Sequence, residues 1–182
     1  MVVFPAQCLY GLAAHALRPR AVEKIFELKE RPRRNPVLVL VKDQAMLESL
    51  VTHVPETARI LMEQFWPGSL TLVFHAQSRV PAVLTAGTGK IGIRIPAHPV
   101  ARALVNRLDF PVTGTSANCS GQPGTVIPDQ LPPAFFRQVG LVLDAGSLKG
   151  GTGSTIVDVT GYPPAILREG LISEKQIQKA LA

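Results

Sequence analysis

The stretch that most constrains this chain is Lys29-Glu30-Arg31-Pro32-Arg33-Arg34-Asn35-Pro36, in which Lys29, Arg31, Arg33 and Arg34 place four cations within six residues. Before it, apolar Ala21, Val22, Ile25, Phe26 and Leu28 alternate with Glu23, Lys24 and Glu27, which predicts an amphipathic helix from Ala21 to Glu30. Pro32 ends that helix near Arg31, because a residue before proline avoids the α region. Asn35-Pro36 then turns the chain into Val37-Leu38-Val39-Leu40-Val41, a run without alternation that reads as a strand buried on both faces. The cations therefore leave a helix C-terminus on a stiff loop. A helix end of that polarity does not attract anions by itself, so anion binding here rests on the side chains, with Arg31 as a planar fork and Lys29 as a point charge. The same residues also describe a solvated basic turn that stabilises the helix end.

Charge supports the first alternative without choosing a ligand. Lys and Arg number 19 against 13 Asp and Glu, giving a net charge of +6 and favouring an anionic partner: nucleotide, nucleic acid or an acidic surface. The 182 residues fit one compact domain, residues 1–182, and 46% hydrophobic content excludes a disordered chain. Cys8 and Cys119, the two cysteines, lack metal-ligand spacing and suggest a reduced, cytoplasmic protein. The opening residues do not resemble a signal peptide, and no apolar run approaches the ~18 residues that span a bilayer.

Along the chain, Val2 to Phe4 reads as a strand, followed by a segment ending in a small-residue turn at Tyr10-Gly11-Leu12. Asp43 caps a short helix, and Pro55 is placed at the first position of another that Trp66-Pro67-Gly68 stops. Strands are expected at Leu70–Phe74, Ile91–Ile95, Pro111–Gly114, Leu141–Asp144, Thr155–Val159 and Ala165–Arg168. A helix is expected over His98–Leu108, and Ser173-Glu174-Lys175-Gln176 predicts a capped final helix. Interleaved helices and strands indicate an α/β domain with a mixed sheet.

Three loops are rich in small and hydroxyl residues. Thr113 to Gly121 offers backbone N–H groups together with Ser116 and Asn118, suited to oxyanions or a ribose. Gly87-Thr88-Gly89-Lys90 is not a phosphate loop, because a strand follows where a helix is required. Gly150 to Thr155 opens a strand and presents Ser154 at its end. His15, His53, His75 and His98 are scattered without zinc-like spacing, so no metal ligands are assigned to the protein.

Taken together, these segments resemble the YrdC family of threonylcarbamoyl-adenylate synthases. The matching pieces are Phe4-Pro5…Tyr10-Gly11-Leu12, Ile25-Phe26…Lys29-Glu30-Arg31-Pro32…Asn35-Pro36, Phe65 to Val73, and Gly92-Ile93-Arg94-Ile95-Pro96-Ala97-His98-Pro99. Ser116-Ala117-Asn118…Ser120-Gly121, Ser154 to Asp158, and Ile166-Leu167-Arg168…Gly170 complete them. The resemblance implies a YrdC-like twisted mixed sheet with flanking helices and a concave basic groove. It implies that L-threonine and bicarbonate or carbon dioxide give an N-carboxy-threonine, whose carboxylate attacks ATP. Pyrophosphate leaves, and threonylcarbamoyl-AMP serves modification of the tRNA adenosine next to the anticodon. It assigns catalysis to Lys29 and Arg31 with Mg2+, and ATP binding to those two with Asn35, Ser116, Asn118 and Arg168. Threonine binding falls to Cys8, Arg94 and Ser154. tRNA or its modification machinery is an expected partner; a membrane is not.

The first loop departs from the family pattern. Members open it with Pro-Thr-(Glu or Asp)-Thr, whereas here it reads Pro5-Ala6-Gln7-Cys8, and a frequent histidine is replaced by Leu40. The family's N-terminal helix is missing ahead of Val2, which leads us to expect an exposed apolar patch around Val2–Phe4. These departures predict an intact nucleotide half and an eroded threonine half. The alternative is a divergent, non-catalytic paralogue that binds nucleotide or double-stranded RNA. Against RNA stands an aromatic content of 5% with no aromatic-rich strand.

Overall fold

The computed structural model describes residues 1–182, folded into two sheets with helices packed around them. In the first sheet, β1 (Val2–Pro5) lies between β2 (Tyr10–Ala13) and β8 (Leu141–Val142), and β2 also pairs with β7 (Thr115–Ser116). The second sheet runs in the order β10 (Ala165–Arg168), β9 (Thr155–Asp158), β4 (Leu70–His75), β5 (Lys90–Arg94), β3 (Val39–Leu40), β6 (Val112–Thr113). Both are mixed: β4 is antiparallel to β5 and parallel to β9, and β1 is antiparallel to β2 and parallel to β8. The α/β expectation and the mixed sheet are borne out.

The helices follow the sequence signals closely. α1 (Pro19–Lys29) buries Val22, Ile25, Phe26 and Leu28 and ends at Glu30, whose φ of 50 puts it in the left-handed region. The Asp43 side chain accepts from the Met46 N–H and caps α2 (Gln44–Glu48). α3 (Glu56–Phe65) begins one residue later than expected, with Pro55 outside it as the cap. α5 (Pro99–Asn106) is capped by His98 Nδ1, and α7 (Glu174–Leu181) opens with the reciprocal Ser173–Gln176 capping box. Two short helices were not expected: α4 (Ala82–Thr85) and α6 (Pro133–Gln138) are too short to show a helical period in sequence.

Three expectations are corrected. Tyr10-Gly11-Leu12 is no turn; it begins a strand, and the turn lies at Ala6–Leu9, closed by Ala6 N–H donating to Leu9 O at 3.1 Å. The run Val37–Val41 is buried at Val37, Val39, Leu40 and Val41 as expected, but only Val39–Leu40 pair as a strand. Nor is there an apolar patch at β1: Val3 and Phe4 are fully buried, because Ile25, Leu28 and Phe135 pack with Val3, and Leu40, Val105 and Val112 pack with Phe4.

Three apolar clusters hold these layers together. The largest joins Leu70, Leu72, Phe74, Ile91, Ile93 and Val157 of the second sheet to Phe26 of α1 and Leu61 of α3. A second packs Val3 and Leu12 against Ile25, Leu28 and Phe135. A third gathers Phe4, Leu40, Val105 and Val112 between the sheets. Each fully buried side chain of this size contributes about 1.5–3 kcal/mol. That burial fixes the β1–β2 turn and the ends of β5 and β9 in place.

Candidate active site

A cavity of about 310 Å3 opens where the two sheets meet. One wall is the β1–β2 turn, Ala6-Gln7-Cys8-Leu9. A second is the end of β5 and the start of β9, with Arg94 and Ser154. The third carries Arg31, Leu38 and Ser116. Three arginines (Arg31, Arg94 and Arg168) line it, and no Asp or Glu does. Such a cavity attracts anions and repels cations before any specific contact is made.

Arg94 is the most informative of these side chains. It is only 5% exposed, no carboxylate pairs with it, and its Nε has no hydrogen-bond partner. Burial pushes its pKa down to about 10, with the nearby Arg168 adding to the effect and a charge on Cys8 opposing it. A buried charge without a partner is costly, and such a group is expected to meet its partner in a ligand.

Ser154 lines the same cavity. Its Oγ shares a 2.8 Å hydrogen bond with Thr71 Oγ1, and its backbone O accepts from Arg168 Nε and Nη2 at 3.2 and 2.6 Å. Gly170 makes this wall possible, since a Cβ there would collide with the Gly153 carbonyl. Arg168 is thus held by the backbone of the Gly-rich loop, and burial lowers its pKa.

Lys29 takes a different place from the one its charge suggests. As the last residue of α1 it is 1% exposed, and its Nζ donates to Ser116 O and Asn118 O at 2.5 and 2.6 Å. Burial lowers its pKa to about 8, with Arg31 adding to the effect. It therefore clasps the 116–122 loop from behind instead of lining the cavity. Asn118 turns inward as well: its Nδ2 donates to Cys119 O and Gln122 O, leaving Oδ1 buried without a partner. Asn35 is exposed and contributes its backbone: Arg31 Nε donates to Asn35 O at 3.1 Å and Arg31 Nη2 to Pro36 O at 2.8 Å. These two bonds hold the Arg31 fork at the cavity mouth.

The structure thus brings Cys8, Arg31, Arg94, Ser116, Ser154 and Arg168 to one cavity, with Lys29 and Asn118 buried behind it and Asn35 exposed beside Arg31. Leu40 is elsewhere. It is fully buried in the cluster around Phe4, and Leu38 is the residue of that strand region that faces the cavity. Gln7 was not singled out by residue type, yet it lines the cavity and its Oε1 is buried without a partner. Its neighbours in the atypical Ala6-Gln7-Cys8 turn were the available signal.

Comparison with known proteins gives the family and the fold. Residues 1–170 match the Sua5/YciO/YrdC family model, described as telomere recombination. The chain belongs to this family. Threonylcarbamoyl-AMP synthase of Pyrococcus abyssi is 37% identical over 181 residues, covering 100% of this chain and 53% of that protein. The Bacillus subtilis protein of the same name is 36% identical, again with 100% and 53% coverage. A crystal structure of P. abyssi Sua5 complexed with L-threonine superposes with a TM-score of 0.94 at 37% identity, over 100% of this chain and 53% of that one. The chain spans about half the length of these relatives. No helix is long and apolar enough to cross a membrane.

Proposed function

We propose that residues 1–182 act as one nucleotide- and amino-acid-binding unit that makes threonylcarbamoyl-AMP from L-threonine, bicarbonate or carbon dioxide, and ATP. The observation that carries this reading is the unpaired, buried Arg94 in a cavity of three arginines and no carboxylate. In the reaction, the threonine amine adds to carbon dioxide to give a carbamate. A carbamate oxygen then attacks the ATP α-phosphorus, and the bond to pyrophosphate breaks. Arg94 pairs with the threonine carboxylate and so points the amine away from that wall. Arg31 and Arg168 offset the charge that builds on the phosphates, the kind of electrostatic help that dominates such transfers. Ser116 bonds the nucleotide. Lys29 serves the same end indirectly, by fixing the carbonyls on either side of Ala117.

No group of three or more His, Cys, Asp or Glu side chains is placed to hold a metal ion. Magnesium carried by the nucleotide's phosphates would supply charge neutralisation there. The product serves tRNA modification, and the net charge of +6 favours contact with tRNA or its modifying partners in the cytoplasm.

Threonine recognition is weakened at one contact, not two, because Leu40 lies in the core. Cys8 is a weak donor and acceptor where a threonine hydroxyl is usual, a loss of about 1 kcal/mol or roughly fivefold in affinity. A second reading, nucleotide binding without turnover, draws on the same Ala6-Gln7-Cys8 turn. Pyrophosphate release with ATP and threonine, serine or no amino acid separates the two. Threonine-dependent release supports the synthase; ATP binding with no release in any mixture contradicts it.

A further inference from the structure

Cys8 is half-buried, free, and set in the turn that walls the arginine-lined cavity. Cys119, also free and half-buried, packs against the second apolar cluster instead and does not line the cavity. Cys119 has Lys29 nearby, but that ammonium is committed to the Ser116 and Asn118 carbonyls, whereas Cys8 shares an open cavity with three arginines. Beside Cys8 stands Arg94, nine-tenths buried with its Nε unpartnered, and the whole lining lacks a carboxylate. Guanidiniums lining a cavity draw anionic reagents to a thiol set in its wall.

We propose that Cys8 is a modification site for low-molecular-weight disulfides that carry carboxylates, and that the modification reversibly plugs the cavity. The Cys8 thiolate attacks one sulfur of the disulfide, after its proton has passed to solvent. A new Sγ–S bond forms, the reagent's S–S bond breaks, and the second half leaves as a thiolate. Cys8 is oxidised and the departing sulfur is reduced, so the exchange needs no other oxidant. The carboxylate of the attached half pairs with Arg94, which places the group across the space that a carboxylate ligand would occupy. Any reducing thiol reverses the step by the same exchange. The proposal goes beyond the synthase reading and does not depend on turnover.

The test compares two disulfides of similar size on the intact chain, an aromatic one with two carboxylates and a neutral dipyridyl one. Peptide mass spectrometry follows each cysteine. The ratio of Cys8 to Cys119 labelling should be about tenfold or more higher with the dicarboxylate than with the neutral reagent, from electrostatic steering alone. In ~1 M salt the two ratios should converge. The same convergence is expected in Arg94→Gln, and the salt arm keeps the test valid should that variant fold poorly. Equal ratios at low salt, preferential labelling of Cys119 by the dicarboxylate, or a preference that survives high salt would each overturn the proposal.

Discussion

Lys29 and Arg94 are both cations inside the protein, 1% and 5% exposed, and neither has a carboxylate partner. Their surroundings differ in one respect. Lys29 spends its donors on two backbone carbonyls of the 116–122 loop, whereas Arg94 keeps Nε unpaired on the wall of a cavity. Hydrogen-bond satisfaction thus separates a structural cation from a binding one. A satisfied buried donor stabilises the protein's own loop, while an unsatisfied one is waiting for something from outside. Arg31 is intermediate, bonded through Nε and Nη2 to the Asn35 and Pro36 carbonyls but still lining the cavity.

If that distinction is right, Lys29→Met should act mainly on stability. It strands the Ser116 and Asn118 carbonyls, each costing about 1–3 kcal/mol, partly offset by relief from burying a charge. A net loss of about 3 kcal/mol in chemical denaturation is expected. The effect should also depend on pH. Folded Lys29 has a pKa near 8 against an ordinary 10.5, so the unfolded chain holds more protons between those values. Stability of the parent therefore rises with pH across that window and is flat below it. Its advantage over Lys29→Met should widen by roughly 1–3 kcal/mol between pH ~7 and ~10. A constant gap would mean that Lys29 is not desolvated as described.

Arg31→Ala sharpens the intermediate case. Loss of a charge-assisted bond should weaken ATP binding by about 1.5–3 kcal/mol in calorimetry, with a smaller change in stability. Unchanged ATP affinity would move Arg31 to the structural side with Lys29. The smallest effect belongs to Cys8→Thr, which should tighten threonine binding by about 1 kcal/mol. No gain there would show that the turn has settled on another way of holding its ligand.

The elements were legible where residue type and local period agree. Asp43, His98 and Ser173 marked helix starts because capping is a local interaction. Leu70–Phe74 and Ala165–Arg168 read as strands from apolar runs between turn residues. Tyr10-Gly11-Leu12 was misread because Gly11 signals a turn locally, while pairing with both β1 and β7 decides the matter. Arg31, Arg94, Ser116, Ser154 and Arg168 could be gathered from the family resemblance, yet sequence carries no record of which way a side chain points. Hence Lys29, richest in apparent function, turned out to face its own loop. Gln7, a residue of no obvious chemistry, stands in the cavity wall.

On this reading the unpaired guanidinium of Arg94 awaits a carboxylate. Calorimetry with L-threonine and with threoninol, in which an alcohol replaces the carboxylate, tests it directly in the parent and in Arg94→Gln. The parent should bind threonine more tightly than threoninol by about 1.5–3 kcal/mol, the usual worth of a hydrogen bond to a charged group. Arg94→Gln should erase that preference while altering chemical denaturation little. A preference of the same size in both proteins would contradict the claim.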